Sequence, residues 1–158
     1  MENVELVPLT AEQYEAWLPR AIAEYAEENV ASGRWSADEA PERSRTDFAQ
    51  LLPQGIATPS HRIWSIVRTS DRESVGLLWI NVMEKPTRRA FIYNIEIFPA
   101  FRRHGFATQA MLRLEDEAKR LGLDRIGLHV FGHNTAARPL YEKLGYVATN
   151  INMSKGLT

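Results

Sequence analysis

The residues best suited to chemistry in this chain sit in one loop, residues 99–108, which reads Pro-Ala-Phe-Arg-Arg-His-Gly-Phe-Ala-Thr. It lies between an apolar run ending near Phe98 and a segment of helical period that begins near His104. The first turn of a helix offers main-chain N–H groups without intrahelical partners and about half a positive charge. Phosphoryl groups bind readily at such a place. Close approach of a phosphate to backbone requires small side chains. Gly105 has none and Ala107 has only a methyl, while Arg102 and Arg103 add positive charge at the entrance. On Gly105 alone, an ordinary surface turn is the simpler reading. No Gly-Lys-Ser/Thr follows, so this is not a Walker loop, and the three-glycine spacing of a Rossmann fingerprint is absent.

Further side chains could take part in catalysis. Tyr141 lies seven residues after Asn134, two helical turns, so both can share a helix face. Glu96 stands on the apolar run just before the loop, and a carboxylate among so many apolar neighbours suggests a cleft. Strict alternation would put Phe91, Tyr93, Ile95 and Ile97 on one face of that strand and Ile92, Asn94, Glu96 and Phe98 on the other. His129 and His133 are rival bases, since imidazole titrates near neutral pH. Each group also has a plain structural role open to it: a packed tyrosine, a helix-capping asparagine, an ion-paired glutamate, a packed strand histidine.

The elements that would position these residues are legible from periodicity. Residues 4–9 alternate as a first strand. Thr10 and Gln13 form a capping-box pattern for a helix running to about Val30, and Ser36 and Glu39 repeat it before a second helix over residues 41–52. Residues 62–68, 75–83 and 90–98 read as strands joined by short polar turns, which argues for antiparallel pairing. Ala107, Met111, Leu114, Ala118 and Leu121 fall at helical spacing, with Gly122 just beyond. A strand over 125–131, a helix over 135–144 and one or two last strands over 146–153 complete the order β-α-α-β-β-β-α-β-α-β. The expected class is α/β in the α+β mixed sense: a mixed, mostly antiparallel sheet of about seven strands with flanking helices, forming a single domain over residues 1–158. Pro139 requires that the last helix either start late, near Arg138, or kink.

Composition narrows the function further. The 158 residues carry a net charge of −1, so a nucleic-acid partner has no electrostatic footprint. There is no cysteine, which excludes a cysteine nucleophile, a disulfide and a thiolate metal site. No apolar run approaches the ~20 residues of a membrane helix, and residues 1–10 do not read as a signal peptide. The expected location is the cytoplasm, without membrane or metal.

Two blocks of sequence carry a family resemblance. Arg102-x-x-Gly105-x-Ala107 resembles the Arg/Gln-x-x-Gly-x-Gly/Ala signature of the GNAT superfamily of N-acetyltransferases. The run from Asn134 to Tyr146 resembles the family's Asn-x-x-Ala-x-x-Leu-Tyr-x-x-x-Gly-Phe/Tyr pattern. The strand ending Ile97-Phe98-Pro99 and the spacing between the blocks also fit a bacterial-type member.

The resemblance implies acetyl-CoA as co-substrate and transfer of its acetyl group to a small-molecule or peptide amine by direct attack. It implies a coenzyme site made of Ile97, Arg102, Arg103, His104, Gly105, Phe106, Ala107, Thr108 and Asn134. It casts Tyr141 as the acid that protonates the departing thiolate, Glu96 as the base, and a backbone N–H in residues 95–97 as the donor to the thioester carbonyl. It places the acceptor beside the first two helices, where Glu28 and Trp35 belong to an acidic, aromatic rim, and near His129. The acceptor itself is not assigned, and monomer and homodimer both stay open. The alternative is a non-catalytic acyl-CoA-binding or sensor module of the same fold; an unrelated α/β interaction domain would not bind coenzyme A at all.

Overall fold

The structure, a computed structural model, describes residues 3–158. Strand β1 (Val4–Pro8) is followed by helices α1 (Ala11–Ala31) and α2 (Ala40–Leu51). Strands β2 (His61–Arg68), β3 (Ser74–Met83) and β4 (Arg89–Ile97) come next, then α3 (Phe106–Arg120), β5 (Arg125–Leu128) and α4 (Ala137–Lys143). The sheet order is β1-β2-β3-β4-β5, antiparallel up to β4 and parallel between β4 and β5.

The expected mixed, mostly antiparallel sheet is therefore present, but it has five strands among the described residues, not about seven. The shortfall lies at the C-terminal end. Residues 147–153 form no ladder, and Val147, Ile151 and Met153 are 79%, 71% and 91% exposed. Their alternating pattern suits a strand, but a strand exists only where a neighbouring edge accepts its hydrogen bonds. β5 likewise stops at Leu128 instead of running to Phe131.

The helix starts follow local chemistry. The Thr10 hydroxyl accepts the Gln13 N–H at 3.1 Å, and the Gln13 side chain accepts the Thr10 N–H at 2.9 Å. Ser36 and Glu39 make the same reciprocal pair at 3.4 and 3.2 Å, one turn ahead of α2. Ser44, fully buried, donates to the Ile22 carbonyl at 2.7 Å and ties α2 to α1.

The sheet divides two cores. On one face α3 packs Phe106, Ala110, Met111 and Leu114 against Ile66, Leu78, Ile80 and Ile92. On the other, α1 and α2 pack Trp17, Ala21 and Phe48 against Leu77 and Trp79. Trp64 and Trp79 are buried in these cores, as their strand positions suggest. Leu114 has no exposed surface, so Leu114→Ala is expected to cost about 2–5 kcal/mol of stability, measured by urea unfolding.

A bulge in β4 matters most for the site. Trp79 pairs with Asn94 and Ile80 with Ile92, leaving Tyr93 as the extra residue. The bulge reverses the parity of the strand. Ile92 packs with the α3 core, and so do Ile95 and Ile97, whereas Tyr93 packs with the α1/α2 core. Glu96 lies opposite Leu77, on the α1/α2 face. The simple alternation that grouped Tyr93 with Ile95 and Ile97 is thus corrected, because one inserted residue inverts every face beyond it.

Candidate active site

The bulge also ends the pairing of β4 with β5. Their ladder runs from Arg89 opposite Arg125 to Ile92 opposite Leu128 and goes no further. Beyond it β4 is held on the β3 side alone among the described residues, and a gap opens toward the loop at residues 99–105. Phe98 N–H donates to the Val75 carbonyl at 2.9 Å. Antiparallel ladders alternate, so the Ile95 and Ile97 amides point away from β3 and into the gap. β3 and β4 approach closely here. A Cβ on Gly76 would lie 2.1 Å from the Glu96 carbonyl oxygen, so only glycine fits.

From the end of β4 the chain runs through this loop to the N-terminus of α3. Arg102 Nε donates to the Ile97 carbonyl at 2.9 Å and braces the loop against the end of β4. Arg103 and Gly105 take left-handed conformations, φ 68° and 79°. The first α3 hydrogen bond runs from Gln109 N–H to the Gly105 carbonyl at 3.1 Å. The N–H groups of Phe106, Ala107 and Thr108 precede it and share the positive end of a helix of 15 residues. Phe106 presents only its main chain, because its side chain is 2% exposed and packs in the core. The side chains of Arg102, Arg103 and His104 are exposed around the turn.

Tyr141 and Asn134 approach from the α4 side. α4 begins at Ala137, two residues later than the period suggests, and Pro139 falls in its first turn, where no N–H bond is lost. Asn134 Oδ1 accepts the Ala137 N–H at 3.3 Å, so its side chain caps the helix from just before the start. The Tyr141 ring packs against the α3-side core, 6.0 Å from the Tyr146 ring. Burial pushes its pKa above the usual phenol value, which keeps the hydroxyl protonated at neutral pH.

Glu96 faces the opposite side. Its Oε1 accepts a hydrogen bond from Arg20 Nη1 at 2.6 Å, while Oε2 is buried with no hydrogen-bond partner. Arg20, on α1, also reaches Glu24 at 3.2 Å. Arg20 escapes sequence reasoning because it lies 76 positions from Glu96; only packing of α1 on β4 unites them. The candidate acid and base therefore stand on opposite faces of the sheet, with the β4/β5 gap between them.

The acceptor-side residues separate. Glu28 lies at the surface of α1, its pKa raised chiefly by burial and partly offset by His133. Trp35 does not form a rim. It is 5% exposed, beneath Tyr25 and the Arg43 guanidinium, because the turn between α1 and α2 folds it inward. His129 lies just beyond β5, exposed, with its ring against Phe131. An unanticipated aromatic row lines this face: Tyr93 stacks on Trp79 at 4.9 Å and on His61 at 5.7 Å, and Trp79 Nε1 donates to His61 Nδ1 at 3.0 Å. Burial lowers the His61 pKa, so the ring is neutral at pH 7 and can accept that bond. Among the described residues no three His, Asp or Glu side chains gather closely enough to hold a metal ion.

Comparison with known proteins gives the family of the chain. The Acetyltransferase (GNAT) family matches residues 15–146. The N-acetyltransferase YycN of Bacillus subtilis is 38% identical over 156 residues, covering 98% of this chain and 99% of its own. The N-acetyltransferase YdgE of the same organism is 38% identical, covering 96% and 97%. The crystal structure of YycN superposes with a TM-score of 0.93 over 99% of both chains. An acetyltransferase of Clostridium acetobutylicum, solved with acetyl-CoA, shares the fold at 19% identity and a TM-score of 0.59, over 99% and 97% of the two chains. An uncapped helix start beyond the end of the β4/β5 ladder, with a phenol and a carboxylate on either side of the sheet, is thus found on a chain that belongs to the GNAT family and is an acyltransferase.

Proposed function

We propose that this enzyme, acting as a single domain, moves the acetyl group of acetyl-CoA to a primary amine that attacks the thioester directly. The observation that carries the reading is the α3 N-terminus: free amides behind Gly105 at φ 79°, at the end of the gap beside β4. The amides of residues 105–108 hold the pyrophosphate, Arg103 adds positive charge at the turn, and His104 offers a ring N–H there. The phosphates supply the affinity, and the rest of the coenzyme runs along the open edge of β4 toward Tyr141. The Clostridium protein of this fold carries acetyl-CoA in its crystal structure.

The Ile97 or Ile95 N–H donates to the thioester carbonyl as negative charge develops on its oxygen. Tyr141 gives its proton to the departing thiolate, whose ordinary pKa of about 8.5 lies below that of a phenol, about 10. Glu96 Oε2, unpartnered in the cleft, accepts from the amine of the acceptor and takes its proton directly or through water. Glu28 with Glu24 gives the acceptor entrance a negative field that suits a cation.

The demand on Glu96 depends on the amine. Deprotonating an alkylamine of pKa about 10.4 at pH 7 costs about 4.6 kcal/mol, against about 1–1.4 kcal/mol for an α-amine. Glu96→Gln is therefore expected to lower kcat/KM at least about 10-fold more for alkylamines than for α-amines. Steady-state rates on matched pairs of acceptors check this. The acceptor class itself is tested by acetyl-CoA-dependent thiol release across polyamines, amino acids, aminoglycosides and peptides. No release with any of them, together with tight coenzyme binding, would point to a sensor module instead.

A further inference from the structure

The two oxygens of Glu96 stand in different surroundings. Oε1 accepts from Arg20 Nη1 at 2.6 Å, whereas Oε2 is buried without a hydrogen-bond partner among the described residues. A free carboxylate turns about its last torsion, a broad and roughly twofold rotor, and presents either oxygen in a spread of directions. A charge-assisted bond to one oxygen fixes the plane of the group, and with it the lone-pair directions of the other. Proton abstraction depends on those directions, because the accepting atom must come within about 2.6–3.2 Å of the proton's donor.

Arg20 is itself held in place. The same Nη1 donates to Glu24 Oε1 at 3.2 Å, one turn further along α1, and the guanidinium carbon lies 5.9 Å from the centre of the Phe98 ring. Nη1 thus serves two carboxylates in unlike settings, the Glu24 side chain 50% exposed and that of Glu96 15% exposed. An ion pair whose arginine is 40% exposed adds little to stability. The fold does not need it as a fastener, since α1 already grips the sheet through Trp17, whose ring meets that of Trp79 at 5.6 Å. What the pair changes is the freedom of Oε2.

We propose that Arg20 is a positioning residue for Glu96: it occupies Oε1 and so holds Oε2 toward the amine of an alkylamine acceptor. This rests on Glu96 as the base and adds the side chain that sets the base's geometry. Arg20 acts through Glu96, so its contribution disappears when Glu96 can no longer take a proton. Lysine keeps the charge and the donors without the planar fork, and therefore replaces arginine in part.

The test is a double-mutant cycle on thiol release, with spermidine and benzylamine as acceptors at saturating acetyl-CoA. E96Q should lower kcat about 100-fold or more. R20M, which keeps an apolar stem beside Phe98, should lower kcat about 10-fold with the KM for acetyl-CoA unchanged. R20K should stay within about 3-fold of the parent. In the E96Q background R20M should change kcat less than about 2-fold, whereas a purely structural role would lower both backgrounds equally. R20M at parental kcat, or an equal loss with and without Glu96, overturns the positioning role and leaves the base standing. E96Q at parental kcat, or no release from either amine, removes the base and the positioning role together.

Discussion

Gly105→Glu is expected to abolish acetyl-CoA binding while the protein stays folded. Gly105 sits at φ 79°, where a side chain is strained, and its carbonyl accepts the first α3 hydrogen bond. Glutamate adds bulk and negative charge at the point where two phosphates should lie. Losing two charge-assisted hydrogen bonds, at about 1.5 kcal/mol each, already weakens binding about 100-fold, before repulsion is counted. Calorimetry measures the affinity, and urea unfolding confirms that α3, whose packing residues lie further along, keeps its core. Retained nanomolar-to-micromolar binding in that variant would place the coenzyme elsewhere.

The second large effect is expected from Tyr141→Phe. The ring packs in the core and contributes no hydrogen bond to the fold among the described residues, so removing only the hydroxyl should leave stability and coenzyme affinity nearly unchanged. If the phenol protonates the thiolate, kcat should fall about 10²–10⁴-fold. The pH profile supplies an independent check. The active form is the protonated phenol, and burial raises its pKa, so that form persists to above pH 10. Tyr141 therefore should impose no loss of rate between pH 7 and pH 10. Full turnover in Tyr141→Phe would remove the acid from this position.

What the residues disclosed and what they concealed divide by the range of the interactions. The Thr10 cap and the α3 start at the Gly105 turn each depend on three or four neighbouring residues and are visible in sequence, whereas Pro139 left α4 a late start or a kink, and the helix starts late, at Ala137. Glu96 stood out by its apolar neighbours, although its face did not. The Tyr93 bulge depends on pairing with a strand some 14 positions away, and no residue type announces it. It nevertheless decides the site, since it turns Glu96 toward α1 and releases β4 from β5. Arg20 is hidden for the same reason. Trp35 looked like a rim residue by type, but the fold buries it through the turn built around Asn29, whose carbonyl accepts the N–H groups of Arg34 and Trp35. The last strands were expected from a pattern that is real, yet no edge of the same chain receives it.

The most direct test of the account is a paired calorimetric titration of acetyl-CoA and of S-acetylpantetheine, which carries the same thioester arm without phosphates. If main-chain amides behind Gly105 grip the pyrophosphate, acetyl-CoA should bind saturably at one site per chain and the pantetheine compound at least about 100-fold more weakly. Equal affinity for the two, or no heat from acetyl-CoA, would contradict it.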